Sequence, residues 1–124
     1  MINILIVEDS RSARMLLEEI LGSDPGIKII GSVDSGEAAI DLAQSELPDL
    51  ILMDIRLREG IDGIEATRRL KNLPSITQIP VVAITASVSP EDIQRALEAG
   101  CRGFIRKPID IDEFPEQVTK YLAR

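Results

Sequence analysis

Hydrophobic runs and amphipathic stretches alternate five times along the chain. The runs are short, rich in β-branched residues and apolar at consecutive positions, which is typical of strands covered on both faces. They lie near Ile2–Val7, Ile27–Val33, Leu50–Met53, Val81–Ile84 and Gly103–Ile105. Each run is followed by a stretch whose apolar residues recur at helical spacing. The pattern therefore predicts five strand–helix units.

Each helical stretch carries an apolar stripe that we expect to face a core. Ser35, Ser89 and Asp112 stand at the starts of three stretches, where a side-chain oxygen can cap the first turn. Pro90 and Pro115 fit a first turn, because amides there lack helical partners. Short connections between such units favour a doubly wound α/β fold with a parallel sheet and helices on both faces. The stripes are Ala13, Leu16, Leu17, Ile20 and Leu21; Ala39, Leu42 and Ala43; Ala66, Leu70 and Leu73; Ile93, Ala96 and Leu97; and Phe114, Val118, Tyr121 and Leu122.

Residues suited to phosphoryl chemistry come at the ends of four apolar runs. Glu8 and Asp9 follow the first run, Asp54 the third, Thr85 the fourth, and Lys107 the fifth. The carboxyl ends of parallel strands share one edge of a sheet, and doubly wound folds bind their ligands beyond that edge. We therefore expect the acids, the hydroxyl and the ammonium group to converge on one pocket.

Each of these residues taken alone has a simpler explanation. Glu8 and Asp9 could belong to a solvated loop that caps the following helix, and Asp54 could cap a helix or a turn. Lys107 could be a surface lysine before a turn, and Thr85 could reflect ordinary β-propensity. The combination of all five at strand ends favours a shared site.

Three carboxylates in one pocket need a compensating charge. Two carboxylates roughly 4 Å apart repel by about 4 kcal/mol at an effective dielectric of about 20. Such a cluster requires a nearby cation or a raised pKa. With oxygen ligands only, a hard ion such as Mg²⁺ is favoured.

The composition narrows the class of protein. The 124 residues suggest a single domain, and 44% hydrophobic residues with only 2% aromatic residues indicate a folded, aliphatic core. Asp and Glu number 21 against 14 Lys and Arg, a net charge of −7. Because phosphate backbones repel such a chain, we expect no nucleic-acid partner.

Missing residue types exclude further chemistry. The chain has no histidine, so it cannot itself carry a phosphohistidine or use a Ser–His pair. Its single cysteine, Cys101, excludes an internal disulfide, fits a reducing compartment and is expected to be a small core residue. No stretch is long enough to span a membrane and no leader pattern follows Met1, so we expect a cytoplasmic protein without a membrane partner.

Four segments together resemble a response-regulator receiver domain. They are Ile4–Ser10, Pro48–Asp54, Ile79–Ala86 and Gly103–Pro108, and the resemblance covers essentially the whole chain. It implies a flavodoxin-like (βα)5 fold with strand order 2-1-3-4-5. It also implies a single receiver domain over residues 1–124, similar to chemotaxis regulators, with no output domain.

The resemblance implies a phosphoacceptor site that uses Mg²⁺. Asp54 would take a phosphoryl group from a phosphohistidine on a histidine kinase or a histidine phosphotransfer protein. Asp9 and Asp54 would bind Mg²⁺ directly, Glu8 would act through water, and the backbone carbonyl of Arg56 would be a further ligand. Apart from phosphorylating and dephosphorylating itself, the protein would be a signalling protein and not an enzyme.

The resemblance also implies residues that neutralise the phosphoryl group and residues that switch the conformation of the protein. Lys107 and Mg²⁺ would neutralise the phosphoryl oxygens, and Thr85 would bond to one of them, with small Ala86 leaving room. Phe104 occupies the place of the family's switch aromatic, although it could equally be a core residue. The switch would reshape a partner-binding face formed by the fourth helix, the fifth strand and the fifth helix.

Two features depart from the family pattern. Arg58 stands where receivers often have a proline, and the loop over residues 55–61 is longer than usual, which puts the loop geometry beside the metal in doubt. Arg56 and Ser87 occupy the variable positions that flank the phosphoryl group. We hypothesise that the Arg56 guanidinium contacts that group or obstructs the attacking water, although it could be an ordinary loop arginine.

Two alternative functions compete with the phosphoacceptor. A pseudo-receiver would bind proteins through the same fold without phosphorylation, but the presence of Asp9, Asp54, Thr85 and Lys107 argues against it. A Mg²⁺-dependent phosphohydrolase with an aspartate nucleophile usually has a second acid two residues later, where this chain has Arg56.

Overall fold

Strands and helices alternate along the chain as the sequence pattern predicts. The structure is a computed structural model and describes residues 1–86 and 89–122. The strands are β1 (Ile2–Val7), β2 (Ile27–Val33), β3 (Leu50–Asp54), β4 (Val81–Thr85) and β5 (Gly103–Arg106). The helices are α1 (Arg11–Gly22), α2 (Gly36–Glu46), α3 (Gly63–Lys71), α4 (Pro90–Ala99) and α5 (Phe114–Thr119), followed by a 3₁₀ helix (Lys120–Leu122).

The five strands form one parallel sheet in the order β2-β1-β3-β4-β5. Val7 of β1 pairs with Met53 of β3, and Asp54 of β3 pairs with Ile84 of β4. The chain moves to opposite sides of β1 after its first and second strand–helix units, so β1 and β3 flank the topological switch point. The predicted doubly wound fold and its strand order are confirmed.

Two hydrophobic layers cover the two faces of the sheet. Leu5 and Val7 of β1 lie in the layer formed with α2, α3 and α4, whereas Ile4 and Ile6 lie in the layer formed with α1 and α5. All four are at most 1% exposed, because successive residues of a strand point to opposite faces and both faces are covered. Complete burial of one such side chain stabilises the fold by about 1.5–3 kcal/mol.

Most of the predicted core positions are buried or partly buried, and two are exposed. Cys101 is a small core residue, and its Sγ lies 3.8 Å from Thr67 Oγ1. Leu16 of α1 and Leu97 of α4 were expected to face a core but are 43% and 44% exposed. Both lie at the margins of their apolar stripes, so the sheet does not cover them.

Helix starts confirm one predicted side-chain cap and the position of a second. Ser35 is the N-cap of α2, where its hydroxyl accepts a 3.1 Å hydrogen bond from the amide of Ala38. Ser89 stands at the N-cap position of α4 but its side chain makes no capping hydrogen bond, and Pro90 is the first residue of that helix. The positions of both serines are predictable because the preferences of a helix start act within one turn of the chain.

The predicted cap of the fifth helix is wrong. Glu113, and not Asp112, is the residue before α5. The carboxylate of Asp110 instead accepts the amides of Asp112 at 2.9 Å and Glu113 at 3.2 Å. An aspartate that bonds amides two and three residues ahead forms a turn of its own, which displaces the helix start to Phe114. Pro115 lies in the first turn, as predicted.

Candidate functional site

The sheet brings the predicted site residues to one edge. Asp54 is the last residue of β3 and Thr85 the last of β4, one residue beyond the predicted strand ends. Glu8 and Asp9 follow β1 directly, and Lys107 follows β5. One carboxylate oxygen from each of Glu8, Asp9 and Asp54 lies within 4.8 Å of the other two. The expected convergence of the three acids is therefore present.

Glu8 is the most deeply buried acid of the site, only 1% exposed, which contradicts the solvated-loop explanation for this residue. Its Oε1 accepts a 2.7 Å hydrogen bond from Lys107 Nζ, and its Oε2 accepts the Ser10 amide at 3.0 Å. Because both oxygens have donors, the carboxylate is stabilised inside the protein.

Asp54 is 5% exposed and lies between a backbone donor and an ammonium group. Its Oδ1 accepts the Arg56 amide at 3.0 Å, a turn contact, and its Oδ2 lies 3.7 Å from Lys107 Nζ. Burial, reinforced by the nearby charge of Glu8, raises the pKa of Asp54 to about 6, although the Arg56 amide and Lys107 oppose the shift. Asp54 therefore carries negative charge that its neighbours only partly compensate.

Lys107 connects two of the acids. Its side chain is 29% exposed and forms ion pairs with Glu8 and Asp54, so it is not an isolated surface lysine. Burial alone would lower the pKa of Lys107, but the contacts with Glu8 and Asp54 outweigh it and raise that pKa. The peptide bond between Lys107 and Pro108 is cis.

Asp9 has a partner that the sequence analysis missed. Its Oδ2 accepts hydrogen bonds from both the backbone amide of Arg58, at 2.9 Å, and the Nε of the same residue, at 3.1 Å. Burial would raise the pKa of Asp9, but the bonds and charge of Arg58 lower it below its usual value. The replacement of the usual proline by arginine was the available signal, because proline could form neither bond.

Other predicted positions surround this centre. Thr85 is 1% exposed, and Phe104 is half-buried against the hydrophobic layer of α2, α3 and α4. The guanidinium of Arg56 forms a 2.6 Å ion pair with Asp92 in the first turn of α4. Ser87, the second variable position, lies outside the described residues.

The donor set fits a hard divalent cation. Oxygens that share one Mg²⁺ at about 2.1 Å are at most about 4 Å apart, so the spacing of Glu8, Asp9 and Asp54 requires only small side-chain movements. The cluster offers carboxylate oxygens and no nitrogen or sulfur ligand, which favours Mg²⁺ over softer ions. Asp54 is 5% exposed and lies near the charge of Glu8, so a further positive charge beside its carboxylate would be favourable.

Comparison with known proteins now identifies the family. The family model of the response regulator receiver domain matches residues 4–119. The chain belongs to the response-regulator receiver family. Receiver domains are signalling modules of two-component systems, which agrees with the resemblance seen in the sequence.

Individual receivers are similar along nearly their whole length. The polar-differentiation response regulator DivK of Brucella ovis is 38% identical over 121 residues, which are 98% of this chain and 96% of that protein. The receiver domain of NarL from Mycobacterium tuberculosis superposes with a TM-score of 0.89 at 25% identity, covering 99% and 98% of the two chains. The CheY chain of a CheX–CheY–BeF3–Mg²⁺ complex from Borrelia burgdorferi gives a TM-score of 0.89 at 26% identity, covering 99% and 90%.

Among residues 1–86 and 89–122, the structure contains no helix that is both long and apolar enough to cross a bilayer.

Proposed function

We propose that this receiver domain accepts a phosphoryl group on Asp54 from the phosphohistidine of a histidine kinase or a histidine phosphotransfer protein. The observation that carries this proposal is the position of Asp54. Its carboxylate ends a buried strand, faces two further acids within 4.8 Å and has the Lys107 ammonium 3.7 Å away. Such a cluster combines a nucleophile, a cation site and a charge that neutralises phosphoryl oxygens.

Asp54 acts as the nucleophile in the proposed transfer. An oxygen of its carboxylate forms a bond to phosphorus while the bond between phosphorus and the partner's histidine nitrogen breaks and returns its electron pair to that nitrogen. A pKa of about 6 leaves Asp54 ionised at neutral pH and therefore competent to attack. Bound Mg²⁺, held by Asp9, Asp54, the Arg56 carbonyl and, through water, Glu8, would supply positive charge to the phosphoryl oxygens.

Lys107 and Thr85 stabilise the product in this proposal. Lys107 lies near Asp54 already and can move toward a phosphoryl oxygen, which carries more negative charge than the carboxylate. Thr85 ends the neighbouring strand and offers its hydroxyl to a second oxygen. Both act mainly through position and charge, so the protein needs no further catalytic group.

The output is proposed to be a change of the face formed by α4, β5 and α5. Phe104 on β5 is half-buried and packs against the layer of α2, α3 and α4, and in this proposal it turns inward when Thr85 moves toward the phosphoryl group. Leu97 is 44% exposed, so α4 presents some apolar surface to solvent. A downstream protein that prefers one arrangement of this face would respond to phosphorylation through a population shift.

Labelling with a small acyl phosphate tests the proposal. Incubation with the donor and Mg²⁺ should add one phosphoryl group by intact-mass measurement, and the Asp54→Asn variant should add none. Asp34→Asn, which changes an acid just beyond β2, is the control and should be labelled normally. Absence of labelling in the wild type with Mg²⁺ would favour the pseudo-receiver alternative.

Transfer from a protein donor tests the physiological half of the proposal. A phosphorylated histidine phosphotransfer domain should lose its label as Asp54 gains it, with Mg²⁺ and not with EDTA. Turnover of a small phosphoester without a stable phosphoprotein would instead support the phosphohydrolase alternative.

A further inference from the structure

Arg58 lies beside Asp9, one of the three acids of the cluster. It lies four residues after Asp54 in the loop between β3 and α3, and its side chain is 76% exposed. Two of its donors, the backbone amide and Nε, bond to the same atom, Oδ2 of Asp9. An exposed arginine has many alternative positions, so this double contact selects one of them.

Each of the three acids of the site forms an ion pair with one of two cationic side chains. Lys107 pairs with Glu8 and Asp54, and Arg58 pairs with Asp9. Arg58 is therefore the counter-ion of the acid that Lys107 does not serve.

A divalent cation at Asp9 competes with this arrangement. Oδ2 of Asp9 already accepts two hydrogen bonds, so a metal that binds this oxygen competes with both donors of Arg58. A guanidinium held at hydrogen-bond distance from a metal ligand also repels the incoming ion. Both effects oppose Mg²⁺ at Asp9 for as long as the side chain of Arg58 keeps this position.

We infer that Arg58 is a resident counter-ion that competes with the divalent cation for Asp9, so that metal binding is an exchange of the guanidinium for the ion. This inference rests on the proposed Mg²⁺ site. It states that the affinity of that site for Mg²⁺ is lowered by Arg58, whose side chain is not one of the proposed ligands. The exchange also couples metal loading to the conformation of the loop over residues 55–62.

Mg²⁺ titration by isothermal calorimetry at low ionic strength tests the inference. Arg58→Gln removes the guanidinium but keeps the backbone amide, and it should bind Mg²⁺ about fivefold more tightly than the wild type, the size of a strong exposed ion pair. Arg69→Gln is a matched control, because Arg69 Nε also bonds a carboxylate, Glu65, at 3.0 Å but lies on α3. It should bind like the wild type.

A second measurement follows the contact directly. The Arg58 Nε–H resonance should be shifted by its bond to Asp9 in the metal-free protein and should move to the position of a solvated arginine on saturation with Mg²⁺. A resonance that stays unchanged at saturation would overturn the inference even if the affinities differ.

The outcomes separate this inference from the proposed function. Equal affinity in the wild type and Arg58→Gln, weaker binding by the variant, or equal tightening by Arg69→Gln would each overturn the exchange while leaving the metal site intact. No Mg²⁺ binding by any of the three proteins would overturn the metal site itself and the inference with it.

Discussion

Lys107 Nζ lies 2.7 Å from Oε1 of Glu8 but 3.7 Å from Oδ2 of Asp54. The ammonium group is thus hydrogen-bonded to Glu8, which is not expected to react. A small movement would bring it to Asp54, which is the proposed phosphoacceptor. The bond to Glu8 therefore holds the ammonium group close to the carboxylate of Asp54.

Removal of Lys107 should destabilise the fold. Lys107→Ala leaves Glu8, which is 1% exposed, without its charged partner. We expect the free energy of unfolding to fall by about 2–3 kcal/mol. This is less than the usual cost of breaking a buried pair, because Lys107 is partly exposed. Urea denaturation in EDTA measures it. The double variant Glu8→Gln with Lys107→Ala should recover most of the loss, and Lys28→Ala, an exposed lysine on β2, should change stability by less than about 0.5 kcal/mol.

Asp54→Asn should stabilise the metal-free protein at neutral pH. The pKa of Asp54 is raised from an ordinary 3.8 to about 6, so between these values the folded state binds more protons than the unfolded state and stability falls as pH rises. Above pH 6 the full cost of the buried charge, at most about 3 kcal/mol, is present, and below pH 4 it is absent.

Chemical denaturation in EDTA from pH 4 to pH 8 checks this dependence. The stability gain of Asp54→Asn should grow across that interval and then level off. Asp41→Asn, an exposed position on α2, should show no such growth. A gain for Asp54→Asn that is constant with pH would contradict the prediction.

Arg56 should control the lifetime of the phosphorylated form. In the structure its guanidinium pairs with Asp92 at 2.6 Å and is 66% exposed, so it is available to move to a phosphoryl oxygen carrying greater negative charge. Arg56→Ala should speed dephosphorylation by up to about fivefold, the equivalent of an exposed ion pair. Asp92→Asn, which frees the guanidinium, should slow it. The rate at which the phosphoryl group is lost can be followed by intact-mass measurement. Equal dephosphorylation rates in the wild type and Arg56→Ala would contradict the hypothesis.

Gly63 should tolerate no side chain. A Cβ at this first residue of α3 would lie 2.2 Å from the backbone oxygen of Asp54, so Gly63→Ala forces the helix away from the phosphoacceptor strand. We expect a loss of about 2 kcal/mol or more in thermal or urea unfolding.

Gly22→Ala is the matched control for that substitution. Nothing lies within 4 Å of a Cβ at Gly22, the last residue of α1. The same change should therefore be neutral or stabilise the protein by up to about 1 kcal/mol. Comparable losses in the two variants would contradict the steric argument.

Sequence periodicity predicted the fold because strand and helix patterns depend on local geometry and burial. Asp54 and Lys107 could be assigned to one edge for the same reason, since parallel strands align their ends. The partners at that edge depend on loop conformation, which periodicity does not encode. Hence the bond between Arg58 and Asp9, and the turn made by Asp110 in place of a cap at Asp112, emerge only in three dimensions.

The two hydrophobic layers have a consequence for how such a module can diversify. Because the sheet separates the helices of one face from those of the other, a substitution on α4 repacks only its own layer and leaves the setting of α1 and α5 unaltered. The face formed by α4, β5 and α5 draws one helix from each layer, so the two helices of that face can diverge one at a time.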